Sequence, residues 1–179
     1  MEFCSINWGS VANWVSGLGS LSAVVTALYL ASDSRRIKLT GYCGVRLIVG
    51  ASGPQQELVF LSVTNVGSRT ATINNIGMRV GRFKKRHAII TAIKDFYNDG
   101  IPVSLADGQV GKWGILLDQD KQWIKELAGG FVKTETDART LRFLVYTTHG
   151  AMKVIKPEAR LVEEIQKALG SQHAKPALG

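Results

Sequence analysis

Three histidines, His87, His149 and His173, are the side chains of this 179-residue chain best suited to proton transfer near neutral pH. None has a nucleophile or carboxylate at a spacing that makes a catalytic set. His87 closes a basic cluster, His149 stands between Thr148 and Gly150 where a turn residue belongs, and His173 lies in the tail. Asp118, Asp120 and Glu126 are the densest carboxylate set, yet they flank a helix start, where the dipole favours acids whatever their chemistry. Gly108-Gln-Val-Gly111 is too short for a phosphate loop and lacks its lysine. Cys4 and Cys43 fall on either side of an apolar run, so neither a disulfide framework nor a metal-ligand spacing is present. These residues point away from an enzyme and require no cofactor or metal.

Charge is the sharper signal. The run Arg79-x-x-Arg82-x-Lys84-Lys85-Arg86-His87 concentrates five cations in eight residues. A solvated hairpin turn that keeps a sheet edge soluble has the same composition. As a contact surface the run suits anionic headgroups, at about 1 kcal/mol per basic residue near a charged bilayer. Nucleic acid ranks behind, because Phe83 is the only interleaved aromatic. Arg35, Arg36 and Lys38 make a second basic group.

The stretch that positions everything else runs from Phe3 to Ser32 and contains no charged residue. As a helix, Trp8 to Ala31 would be roughly 36 Å long, enough to cross a hydrocarbon core of about 30 Å with some tilt. Residues 8–32 therefore read as a transmembrane helix, after an N-terminal segment 1–7 and before a basic juxtamembrane linker 33–38. Asn13, Ser16, Ser20, Ala23 and Ala27 fall three or four apart and make one small, polar stripe. Trp14, Leu18, Leu21, Val25 and Leu28 make the other. A small stripe admits a second helix closely, so self-association or a partner span is an open alternative to a plain anchor. No basic n-region precedes the apolar run, which argues against a cleaved signal. The cations after it place the C-terminal part in the cytoplasm by the positive-inside rule, with the span in the inner membrane. All 22 Lys and Arg and 13 of the 14 acids lie beyond the span, so that part, a single domain's worth of chain, is near +9 at pH 7.

There the period changes to two. Leu39 to Val49, Glu57 to Asn65, Ala71 to Val80, Ala88 to Ile93, Ile101 to Leu105 and Gln109 to Leu117 predict strands. Ser52-Gly53-Pro54, Asn65 to Ser68, Arg82 to Arg86 and Ala106 to Gly108 predict turns, and Asp95 to Gly100 a loop. Asp120 to Leu127 predicts a short helix ended by Gly129-Gly130. Thr140 to Thr147 and Met152 to Ile155 predict a hairpin across Thr148-His-Gly150. Pro157 opens an amphipathic C-terminal helix ending near Leu169, and 171–179 reads as a flexible tail.

About seven short strands over 39–156, with one small helix late in the series and a C-terminal helix over 157–170, predict an immunoglobulin-like β-sandwich behind the span. The segment Leu58-Val-Phe-Leu-Ser-Val-Thr-Asn-Val-Gly-Ser-Arg-Thr-Ala-Thr-Ile73 resembles the corner between the second and third strands of such domains. Leu105-Ala-Asp-Gly108 resembles the loop into their later strands. The layout resembles bacterial and prophage-type single-pass membrane proteins with an N-terminal span and a cytosolic sandwich of this kind. That resemblance brings no catalytic residue and implies a role in phage exclusion or defence. The expectation is a membrane-tethered interaction protein whose cytoplasmic domain binds a protein partner. The alternatives are an oligomerising membrane effector that permeabilises the bilayer through its N-terminal helix, and a tethered nucleic-acid-binding module.

Overall fold

A computed structural model describes residues 8–49, 55–91 and 97–173 of the chain. The expectations for residues 1–7 with Cys4, for the Ser52-Gly53-Pro54 turn, for Ile93 and Asp95, and for 174–179 lie outside the described residues. The chain divides into two compact units, Met1–Arg36 and Ile37–Gly179.

The first unit carries α1 (Trp8–Ser34), which over Val11–Ser34 is long and apolar enough to cross a membrane. From Val11 to Ser34 every side chain is exposed except that of Asp33, which is half-buried. Its hydroxyls are served from within. Ser20 Oγ donates to Ser16 O at 3.0 Å, Ser22 Oγ to Gly19 O at 2.8 Å, and Thr26 Oγ1 to Ser22 O at 2.8 Å. These bonds lower the cost of placing hydroxyls in lipid, because each proton already has an acceptor.

The second unit is mainly β. Its strands are β1 (Leu39–Ile48), β2 (Gln56–Asn65), β3 (Ala71–Val80), β4 (Arg86–Ile90), β5 (Val103–Leu105), β6 (Val110–Leu117), β7 (Arg142–Thr147) and β8 (Met152–Ile155). Its helices are α2 (Gln122–Gly130), α3 (Glu135–Thr140) and α4 (Ala159–His173). All pairing among these strands is antiparallel. One sheet has the order β1-β2-β6; the other has β4-β3-β7-β8, with β5 also paired to β3. Alternation drives the two sheets onto one core. Cys43, Val45, Val59, Leu61 and Val63 from the first meet Ile73, Ile76, Met78, Phe143 and Val145 from the second. Leu161, Ile165 and Leu169, spaced four apart on α4, join the same core with Ile124, Leu127 and Ala128 of α2.

Each edge of the first sheet has a local partner. At β6 the Asn98 side chain acts as a strand: its amide donates to Gly114 O and its oxygen accepts from Gly114 N, each at 3.1 Å. At β1, Glu158 N donates to Cys43 O at 2.8 Å and Pro157 bridges to Cys43.

Four local differences from the sequence reading have physical reasons. Pro157 does not open the last helix; it runs beside β1, and α4 starts at Ala159. That helix also continues to His173, held by buried Leu169 and by Ser171 Oγ donating to Ala168 O at 2.8 Å. Thr140 belongs to a helix that the periodicity did not suggest, α3, and not to the strand that follows. Arg86 is the first residue of β4 rather than the end of a turn.

Candidate functional site

The residues with chemical potential are dispersed. His149 sits exposed on the β7–β8 turn beside the Thr148 hydroxyl, and His87 is exposed on β4. Asp118 Oδ1 accepts from Gln122 N at 2.7 Å, so it caps the start of α2. Cys43 is fully buried, and burial pushes its thiol far above the ordinary range. It helps line a cavity of about 230 Å³ between the sheets with Val59, Ile76, Trp113 and Phe143, and no charged residue lines that cavity. Among the described residues no three of His, Cys, Asp and Glu come close enough to hold a metal.

The basic residues divide by place. Arg35 and Arg36 follow α1 in the first unit. Lys38 adjoins the end of the β domain marked by Asn65, since Val66 N donates to Lys38 O at 2.8 Å and Leu39 pairs with Asn65. Asn65 gathers that end. Its amide donates to Arg69 O and Leu105 O, and its side-chain oxygen accepts from Gly67 N. Leu105 in turn pairs with Ala71, the first residue of β3. β3 then runs ten residues away to Val80, roughly 30 Å at a strand's rise. The turn carrying Arg82, Lys84 and Lys85 therefore lies at the opposite end of the domain from Lys38. Lys38 and the basic turn do not form one surface of this domain.

At that far end the turn is anchored and its cations are sorted. Gly81, at φ 94°, donates its N–H to Thr140 Oγ1 at 3.0 Å. Arg86 is taken by Asp137 at 2.6 Å. Arg82, Lys84 and Lys85 are exposed, and the Arg82 guanidinium stands 5.8 Å from the ring centroid of Phe83, which is 91% exposed.

The larger feature is one the sequence run does not reveal. Arg79 pairs in register with His87 on one side and Arg142 on the other, and Lys156 follows Ile155, the partner of Phe143. His87, Arg79 and Arg142 thus form a row across three strands on the face turned away from the core, and Lys156, the residue just past β8, continues the register. One row along on the same face come Ile89, Gly77, Leu144 and Val154; the next holds Tyr146 and Met152. Ile89 is 71% exposed, and Met152 and Val154 are exposed as well. No acidic residue occurs in β3, β4, β5, β7 or β8. Arg142 and Lys156 escape a reading along the chain because they lie more than 60 positions from Arg79; only the strand register brings them beside it.

No protein-family model and no curated protein matches the chain. Among solved structures it is similar to a candidate ApaA protein of Bordetella pertussis, at 13% identity and a TM-score of 0.33, over 68% of this chain and 89% of that one. It is also similar to a structural-genomics target designated SoR45, at 14% identity and a TM-score of 0.28, over 69% of this chain and 83% of that one. At these values neither likeness carries an argument about function, and the resemblance to prophage-type single-span proteins rests on residues and layout alone.

Proposed function

We propose that the chain is a single-pass protein of the inner membrane whose C-terminal β domain lies in the cytoplasm and binds a protein partner, in a setting of phage exclusion or defence. The observation that carries this reading is the pairing of one long helix, uncharged as far as Ser32 and exposed from Val11 to Ser32, with a separate β domain that follows it within four residues. A helix with that much apolar surface needs lipid or protein to cover it, and the cations after it favour the cytoplasmic side. The strand order β1-β2-β6 against β4-β3-β7-β8 supports an immunoglobulin-like sandwich, an architecture that serves binding through its faces and loops. Its role is binding rather than catalysis.

Fractionation and protease protection of the full chain test this. The expected result is retention in the inner membrane after alkaline carbonate washing, with the β domain cut only after the cytoplasmic face is opened. Release by carbonate, or cleavage of the domain from the periplasmic side, overturns the reading.

A further inference from the structure

We propose that the outer face of the β4-β3-β7-β8 sheet is the docking surface of this protein and that its partner is an acidic, amphipathic protein segment. The inference deepens the binding role proposed above and rests on it. Three observations converge on that face. The row His87, Arg79 and Arg142, continued by Lys156 just past β8, runs across it at the strand spacing of about 4.8 Å. The row beside it exposes Ile89 and Val154, and Met152 lies in the one after. The five strands that could supply a neutralising carboxylate supply none, and none of the salt bridges among the described residues involves Arg79, Arg142 or Lys156.

Arg79 and Arg142 stand directly opposite each other, an arrangement that destabilises a sheet. A fold tends to retain such a local conflict where a site needs it. The chemistry also chooses among anions. Exposed apolar side chains on the two outer strands, Ile89 on β4 and Met152 and Val154 on β8, beside a charged row give the mixed apolar and charged make-up of a protein interface. A single-stranded nucleic acid would want stacking rings, and Tyr146 is the only aromatic on the described part of this face.

The test uses the full chain in zwitterionic nanodiscs and Arg79→Glu, which places a carboxylate between His87 and Arg142. The probes are a fluorescent 20-residue helical peptide of Glu and Leu, a 20-nucleotide oligo-dT, and vesicles of phosphatidylglycerol. Expected are a preference for the peptide, a loss of peptide affinity of tenfold or more in Arg79→Glu, and a rise in the domain's melting temperature in that variant. Lys153→Glu, in β8 outside the row, should change peptide binding less than threefold. The opposed movement of stability and affinity separates a docking role from a structural one. Unchanged peptide binding in Arg79→Glu, a fall in its melting temperature, or tighter binding of oligo-dT or of the vesicles overturns the proposal. Failure here leaves the topology result standing, whereas release by carbonate removes the membrane reading and leaves this face to be judged by its own affinities.

Discussion

Asn65 shows how much one side chain can hold. It is fully buried, and its amide closes two turns at once by donating to Arg69 O and Leu105 O while accepting from Gly67 N. Replacing it with Leu should cost about 3 kcal/mol, because losing the amide's donor strands two carbonyls and losing its acceptor oxygen strands an N–H. Asp at this position should also be harmful, since a carboxylate cannot donate to either carbonyl. Urea titration of the two variants checks both statements, and wild-type stability in Asn65→Asp would refute the second. Charge at the residue scale gives a pH profile. Arg46, at 2.5 Å, holds the Glu158 carboxyl below its ordinary value of 4.5. Lys121, at 3.0 Å, does the same for Glu164. A carboxyl lowered by folding contributes stability that is whole above 4.5 and fades as the pH falls through its folded value. The ammonium of Lys121 is raised by Glu164 and then Glu57, so its contribution is whole below 10.5 and is lost at higher pH. Melting temperature should thus drop below about pH 4.5, and less so in Glu158→Gln; each pair is part-exposed, so the effect is within about 1 kcal/mol.

Elements were legible wherever the period was clean. The β1, β2, β3, β6 and β8 spans emerge within two residues of their sequence limits, because alternation puts Val59, Leu61 and Val63 or Ile76, Met78 and Val80 where only a buried strand can use them. α3 was missed although it carries a signal. Thr134-Glu-Thr-Asp137 has the spacing of a capping box, and Thr134 Oγ1 accepts from Asp137 N at 3.1 Å while Asp137 Oδ2 accepts from Lys133 N at 3.1 Å. With one buried residue, Ala138, the helix is too short to show a period. The candidate site was legible only in part, since Arg82 to Arg86 is local in sequence while the row through Arg79 exists only in the register. What sequence could not weigh was the last helix, which is a wall of the core rather than an appendage. Leu161 and Ile165 are fully buried and Leu169 nearly so. Ile165→Ala should cost about 2–5 kcal/mol, and a chain ended at Lys156 should show no cooperative melting transition. A surface role for α4 would instead leave both variants close to wild type.

At the scale of the whole molecule the open contest is between a span that only anchors and one that assembles. Asn13, Ser16, Ser20, Ala23 and Ala27 lie on one side of α1, a stripe narrow enough in side-chain bulk for a second helix to approach. The hydrogen bonds inside α1 sharpen what that stripe can do. The Ser20 hydroxyl proton is already given to Ser16 O, so Ser20 offers a partner little beyond its small size. Asn13 has an amide with two donors and an acceptor, enough for a reciprocal pair about a two-fold axis. At about 0.6 kcal/mol per interhelical bond, that pair would shift association three- to eightfold. Asn13→Leu should therefore weaken self-association by that factor although it improves insertion, and Ser20→Ala should leave it unchanged. Leu21→Val on the opposite stripe should also be silent. Disulfide crosslinking of single-cysteine variants along the helix, in native membranes, reads this out. Only Cys4 needs replacing, because buried Cys43 has a thiol held protonated and out of reach. Crosslinking that peaks at positions 16, 20 and 23 and falls with Asn13→Leu would favour an assembling span over a tether. Equal crosslinking around the helix, or none, would reduce α1 to an anchor and leave the basic sheet face as the part of the molecule that acts.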